Sequence, residues 1–193
     1  TDAFIEIGTR CWEAVRSAAV EGEESAVGAL LTEYRSSASG SAELYRLATT
    51  GPLDRSALPP GLEEWAGTPF FEATGDPVRA QALWAAAHGL AILEVDGRFP
   101  PGSDLDAAWQ ALAHAFDAVR ESAALEKTLH KAIKEGRVQP QAGQNPIDAG
   151  AAAGVLSAEQ AQALHQAEAA RRKVIDVDDF AKEELQLADG RIR

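Results

Sequence analysis

One cysteine, Cys11, and no methionine stand among the 193 residues of this chain. A lone cysteine cannot close an internal disulfide, which fits a reducing cytoplasm, and a complete lack of methionine is unusual for a natural chain this long. Long apolar runs are missing too: the richest stretch, residues 85–95, is interrupted by His88 and Glu94 and falls well short of a bilayer span. Thr1-Asp2-Ala3-Phe4 has no basic segment leading into an apolar one, so no secretory signal is read there, and Thr1 is itself not a native start. Positive charge is scarce. At a net charge of -12 and a pI near 4.7 the chain repels a phosphate backbone, so by itself it is not expected to bind nucleic acid. No membrane partner is expected either.

What is present suffices for a fold. Hydrophobic content of 46% with 25% charged residues is ordinary for a globular protein. The charge is unevenly spread. Residues 1–118 hold 7 Arg and no Lys against 18 acidic residues, a net -11, whereas the remainder holds 11 basic against 12 acidic residues, a net -1. All four tryptophans and both tyrosines lie in the first part, and all five lysines in the second. Two pieces of different origin, divided near Ala118, would produce this seam. One long helical protein with a core-rich front and a solvated back would produce it as well.

Apolar spacing reads as all-α throughout, with no strand pattern and no internal repeat. A first helix runs from Asp2 to about Val20 on Phe4, Ile5, Trp12, Val15 and Ala19, with Gly22 stopping it. Ser25 caps a second helix whose apolar face is Val27, Leu30, Leu31 and Tyr34. A short helix over residues 43–48 is followed by a loop with Pro52, Pro59 and Pro60, and helix returns over 62–71. Asp76-Pro77 is a cap followed by a first-turn proline, opening a helix to about Val95 that Gly97 closes. After the Pro100-Pro101-Gly102 turn, Ser103 is the expected cap of a helix striped by Leu105, Trp109, Leu112, Phe116 and Val119, with Asp106 beside its positive end. That helix meets no breaker until Gly136. Beyond it lie a loop, a short helix from Asn145-Pro146 to Gly154, and a helix to about Val174 opened by the capping box Ser157/Gln160. An extended or loosely docked tail is expected from Asp176.

The run Leu44-Tyr45-Arg46-Leu47, then Gly51-Pro52-Leu53, Leu58-Pro59-Pro60-Gly61-Leu62-Glu63, Trp65-Ala66 and Pro69 resembles the C-terminal regulatory domain of TetR-family repressors. Gly75-Asp76-Pro77, Ala80, Trp84-Ala85, Ala87-His88-Gly89-Leu90, Leu93-Glu94, Gly97-Arg98-Phe99-Pro100-Pro101 and Asp104-Leu105-Asp106-Ala107-Ala108-Trp109 extend the likeness. They point to the subgroup named for its Trp, His and Gly, here Trp84, His88 and Gly89. The resemblance implies an all-helical TetR-like C-terminal bundle over residues 1–118, control by a small hydrophobic effector, and a homodimer held by a four-helix bundle. Family members read operator DNA through three N-terminal helices, and no such segment precedes Thr1 in this sequence. Sensing and dimerisation without operator binding are therefore the expectation.

Trp84 and His88 lie one helical turn apart and so share a face. His88 is either an effector contact or a satisfied core histidine. Trp12, Tyr45, Trp65 and Phe71 either complete an apolar cavity or are plain core. For the dimer, the resemblance implies the helices 77–95 and 104–119, with Leu83, Leu90, Trp109, Leu112 and Phe116 as candidate interface residues. Each could equally face its own protomer's core.

From about Leu125, the segments Leu129-His130-Lys131-Ala132-Ile133-Lys134-Glu135-Gly136, Ala153-Gly154-Val155-Leu156-Ser157-Ala158-Glu159, Ala167-Glu168-Ala169-Ala170-Arg171 and Val174-Ile175-Asp176-Val177-Asp178-Asp179-Phe180 are similar to the C-terminal extension of bacterial long-chain acyl-CoA dehydrogenases. Those enzymes are flavoproteins, and nothing here corresponds to their flavin-binding or catalytic domain, so residues 119–193 are expected to be a helical tail without activity. No catalytic residue, metal ligand or cofactor is assigned: the chain has no phosphate loop, nucleophile elbow or Cys–His pairing. His130 and His165 lack a metal-ligand spacing and read as solvated. Asp176, Asp178 and Asp179 lack the glycine and glutamate of a calcium loop, with Ala181 and Leu187 in those places. Arg171-Arg172-Lys173 reads as a charge complement to a helix C-terminus. The alternative function is an accessory region of an acyl-CoA dehydrogenase.

Overall fold

The computed structural model describes residues 2–21 and 25–170. These form an all-α chain: α1 (Asp2–Glu21), α2 (Ala26–Gly40), α3 (Ala42–Thr49), α4 (Leu62–Thr74), α5 (Pro77–Val95), α6 (Leu105–Lys134), α7 (Pro146–Ala152) and α8 over residues 158–170, with one 3-10 turn at Arg55–Ala57. No strand occurs among the described residues. The expected tail from Asp176, its aspartate cluster and the basic patch at 171–173 lie outside the described residues.

Helix ends follow local chemistry. Ser25 Oγ accepts from the Gly28 N–H at 2.8 Å, Asp76 Oδ1 from Arg79 N–H at 2.9 Å, and Asn145 Oδ1 from Ile147 N–H at 2.8 Å. Ser157 and Gln160 bond reciprocally at 2.9 and 3.1 Å, the expected capping box. At the start of α6 the expectation needs correction. Asp104, not Ser103, caps this helix, since its Oδ1 accepts the Ala107 N–H at 2.9 Å, while the Ser103 hydroxyl turns back to the Pro100 carbonyl. The Pro100–Gly102 turn engages the Ser103 hydroxyl and leaves the open N–H groups to the Asp104 carboxylate, which the positive helix end favours. Gly97 and Gly136 close α5 and α6 with φ of 61° and 73°. In each case the glycine N–H and the next N–H fold back onto the last carbonyls, as in Gly97 to Glu94 and Arg98 to Leu93.

The chain divides into two compact units, Thr1–Arg120 and Glu121–Arg193. In the first, α1 packs on α2 and α4, and α5 on α4 and α2, with α3 against α1 and α2. Val27, Leu30, Leu31, Tyr34 and Ala38 of α2 meet Ala80, Leu83, Ala87 and Ala91 of α5 in one core with Cys11, Val15, Tyr45, Phe70, Ala73 and Trp109. These positions recur at three and four residues because only one face of each helix is covered. Wholly buried leucines such as Leu30 and Leu83 contribute about 1.5–3 kcal/mol each. The second unit has its own core of Leu129, Ala132, Val138, Ile147, Ala149, Leu156, Ala161 and Leu164.

Two glycines in helices of the first unit differ in surroundings. A Cβ on Gly8 would lie 2.6 Å from Trp65 Cζ3 and 2.9 Å from Cη2, a rigid ring that cannot fold away, whereas a Cβ on Gly67 meets nothing within 4 Å. We expect Gly8→Ala to destabilise by about 1–3 kcal/mol through overpacking and Gly67→Ala to stabilise by about 0.5–1 kcal/mol through helix propensity. Urea unfolding of both variants checks the pair; equal effects of the same sign would refute the packing of Trp65 on α1.

Candidate functional site

Helix α5 carries two polar centres in the first unit, one at His88 and one at Glu94, both partly buried. The first is built on Trp84 and His88, one turn apart as their spacing requires. Their rings stack at 6.0 Å between centroids with planes 17° apart. His88 Nδ1 lies 2.7 Å from the Tyr45 hydroxyl, which lies 2.9 Å from that of Tyr34. Tyr34 in turn packs edge-on against Phe70 at 5.7 Å and Tyr45 at 6.0 Å. Tyr34 and Tyr45 are buried, His88 is partly buried, and Trp84 is 48% exposed. The cluster therefore leads from the core of the unit to its surface.

Two buried phenols in contact resist ionisation. Burial, with the neighbouring Tyr45 adding to it, holds the Tyr34 hydroxyl far above the ordinary tyrosine range, and burial pushes Tyr45 up to about 12. Cys11, buried beside them, is raised to about 12 by burial and by the Glu33 charge, which leaves it a neutral thiol.

The second centre joins three helices. Arg35 of α2 donates to both carboxylate oxygens of Glu94 on α5, at 2.7 to 3.1 Å, and from its other terminal nitrogen to Asp106 on α6 at 2.6 Å. Trp109 Nε1–H donates to Glu94 Oε2 at 2.8 Å. Burial alone would raise the Glu94 carboxyl, but the hydrogen bonds from Arg35 and Trp109 outweigh it and hold it below the ordinary value. An open groove of about 830 Å³ runs alongside, with Thr32, Arg35, Asp106, Trp109, His114 and Asp117 among its lining residues. At the same end of α5, Arg46 binds Asp96 at 2.7 Å and the Val95 carbonyl at 2.6 Å, closing the last turn.

The six residues expected around an effector are not all brought together. Trp84, His88 and Tyr45 meet. Trp65 lies instead against Gly8 of α1, and Phe71 is 48% exposed while its neighbour Phe70 points into the core. Trp12 has Arg16 over its ring at 4.3 Å, and its Nε1 is a buried donor with no partner. Of the five residues expected at a dimer interface, Leu83 is 0% and Trp109 6% exposed, so neither has surface left for a second copy. Leu90, Leu112 and Phe116 are partly buried against the same core. The apolar surface of α5 lies elsewhere, on Val78, Ala82, Ala85 and Leu93.

Sequence reasoning missed Tyr34 as a polar group and Arg35 altogether, and it assigned Asp106 to the helix dipole alone. Arg35 and Glu94 are 59 residues apart, so no spacing rule connects them. In the second unit His165 Nε2 lies 2.8 Å from Asp148 Oδ1. Among the described residues no group of three or more His, Cys, Asp or Glu side chains is placed to hold a metal ion.

Two family models match the chain. The one described as tetracyclin repressor-like, C-terminal domain, covers residues 6–116, and the one described as acyl-CoA dehydrogenase, C-terminal, bacterial type, covers residues 95–180. No curated protein and no solved structure matches.

A carboxylate whose folded-state pKa is depressed contributes stability above its unfolded value and loses it as pH falls through the folded one. For Glu94 the contribution is complete above the ordinary glutamate range near 4.5 and fades below it. We expect Glu94→Gln to cost about 2 kcal/mol at neutral pH, since hydrogen bonds to charged partners are lost or weakened. The gap from the parent should narrow steadily below pH 4.5 in urea titrations, and a gap independent of pH would show that Glu94 is not the titrating partner of Arg35.

Proposed function

The chain belongs to the tetracyclin repressor-like C-terminal domain family, and from that premise we propose that its first unit is the effector-sensing, dimer-forming part of a TetR-type transcriptional regulator. The observation that carries this reading is the Trp84–His88 stack, joined through His88 to the buried Tyr45 and Tyr34 hydroxyls. Apolar walls with a few fixed polar atoms are what recognition of a small hydrophobic molecule requires. The protein acts by binding and not by turnover. At -12 these residues make no favourable contact with operator phosphate, and the regulator reading carries a cytoplasmic location with it. No described helix is long and apolar enough to cross a membrane.

Dimerisation belongs to the same proposal. The exposed face of α5, with Val78 at 72% and Leu93 at 43%, is lined between them by Ala82 and Ala85, small residues that let a second helix approach closely. A second reading rests on the match over residues 95–180: the unit from Glu121 onward is a non-catalytic accessory region of an acyl-CoA dehydrogenase. That reading requires co-purification with a flavoprotein, which the first does not.

A thermal-shift screen with apolar small molecules tests sensing. We expect a binder to raise the melting temperature, equivalent to about 2.7 kcal/mol at a hundred times its Kd, and Trp84→Ala to abolish the shift. A library without a single binder would defeat the sensing reading. For the dimer, light scattering should return twice the chain mass of 20.4 kDa, and Ala85→Arg should halve it while leaving the helical signal intact. A parent chain that is monomeric at tens of micromolar sinks the dimer.

A further inference from the structure

We propose that the open groove between α2 and α6 is a docking site for a short, basic, amphipathic helix of another protein. Its walls, its length and its charge each point to that occupant.

The α2 wall is made of small side chains at helical spacing, since Ser25, Gly28, Ser36 and Ser39 all line the groove. At about 1.5 Å of rise per residue this wall runs about 21 Å. The α6 wall, from Asp106 through Gln110 to Asp117, runs about 16 Å on the same rise. Walls of this length match three to four turns of a helix laid between them. Small residues along one wall let the backbone of such a helix come close, and Leu31, Thr32 and Ala113, which also line the groove, meet an apolar face at three- and four-residue spacing.

On α6 the groove face differs from the helix's other two faces. Trp109, Leu112 and Phe116 are turned to the core, and Ala108, Ala111 and Ala115 recur at three and four residues on a third side. The groove also includes none of Val78, Ala82, Ala85 and Leu93, the α5 surface proposed for the dimer.

Charge selects the partner. Glu94, Asp106 and Asp117 line the groove against one guanidinium, that of Arg35. Arg35 is already shared by Glu94 and Asp106, and Asp106 remains 79% exposed in spite of its bond. Residues 1–118 add a net -11 around it. A Lys or Arg of an incoming helix meets a complementary potential, whereas a nucleic acid, an acidic segment or the equally acidic surface of a second copy meets repulsion. A small molecule is a poorer fit. Pockets for such ligands enclose most of the ligand's surface and offer aromatic walls, but this groove is open and the Trp109 in its wall is 6% exposed.

The test uses the full chain and a displayed library of helical peptides about 14 residues long, with a fixed Ala/Leu face and random flanking positions. Selection is expected to enrich Lys and Arg at the flanks. Fluorescence anisotropy of an enriched peptide is expected to show binding that weakens about tenfold in Asp117→Lys and is lost in Ser36→Trp, which fills the groove from an exposed position. Both variants should keep the parent's circular dichroism, and added salt should weaken binding to the parent. Enrichment of neutral or acidic flanks overturns the proposal, as do an empty selection and binding indifferent to both substitutions. Spermine that displaces the peptide at equal concentration reduces the groove to a site for simple cations and overturns the helix. A mass that falls from two chains in the parent to one in Ser36→Trp puts a second copy in the groove and overturns it too.

Discussion

The Arg35 guanidinium, shared between Glu94 and Asp106, is the constraint on which the arrangement of the first unit depends. It fixes α2 to α5 and α6 at one point, and the Trp109 indole N–H adds a second bond to the same carboxylate. The three members differ in exposure, with Glu94 at 17%, Arg35 at 26% and Asp106 at 79%. Asp106 is solvated, so its bond contributes little net stability. Glu94 is the member that matters, because removing Arg35 would leave a half-buried carboxylate with only an indole to satisfy it. The network gains its weight from what its loss would expose, more than from the attraction itself. Packing alone would tolerate α6 sliding along its apolar stripe. A guanidinium fork does not, since its donors match a carboxylate only in a narrow geometry.

The same principle governs the other polar centre on α5. Two tyrosine hydroxyls and an imidazole nitrogen stand in a core otherwise made of Leu, Val, Ala and Phe. Each would be costly there alone. Joined in a chain they satisfy one another, and the chain needs Tyr34 from α2, Tyr45 from α3 and His88 from α5 to be in register at once. Helix α5 is accordingly held by hydrogen bonds at two heights as well as by its buried alanines. The small residues Ala80, Ala87 and Ala91 let it lie close enough to α2 and α4 for such short bonds to form.

How much of this could be read in advance follows from the range of each interaction. Helix caps act over three residues, so Ser25, Asp76, Asn145 and the Ser157/Gln160 box were legible, as were the glycines that end α5 and α6. Asp104 was missed because Ser103 beside it is an equally good capping type, and only the fold of the Pro100–Gly102 turn decides which side chain meets the open N–H groups. Periodicity identified Leu83 and Trp109 as apolar positions on α5 and α6 but carried no information about what covers them. Both prove to be covered by their own chain. Phe70 and Phe71 illustrate the same limit: neighbours on a helix point about 100° apart, and composition does not say which of the two faces inward. The stacking of Trp84 on His88 was legible because an i, i+4 pair is a local relation; the tyrosines that complete it come from other helices and were not.

Helix α6 poses the remaining structural question, since both family matches include its first turns. Its apolar positions are not one continuous stripe. Trp109, Leu112, Ala113 and Phe116 pack in the first core, Leu125, Leu129, Ala132 and Ile133 in the second, and residues 117–124 include no buried side chain. A helix segment of that length with no buried side chain is marginal in water when isolated. It persists because both ends are anchored and no glycine or proline occurs between Leu105 and Lys134, so the hydrogen-bond ladder is never interrupted. Helix propensity, weak where packing decides, becomes the deciding term across these eight positions. Ala118, Ala123 and Ala124, together with Arg120 and Glu121, are strong helix formers, and they favour helix where no side chain is buried. The seam visible as a change of charge and aromatic content is thus bridged by the least specific of stabilising effects, which is why a single unbroken helix can join two cores whose sequences resemble different families.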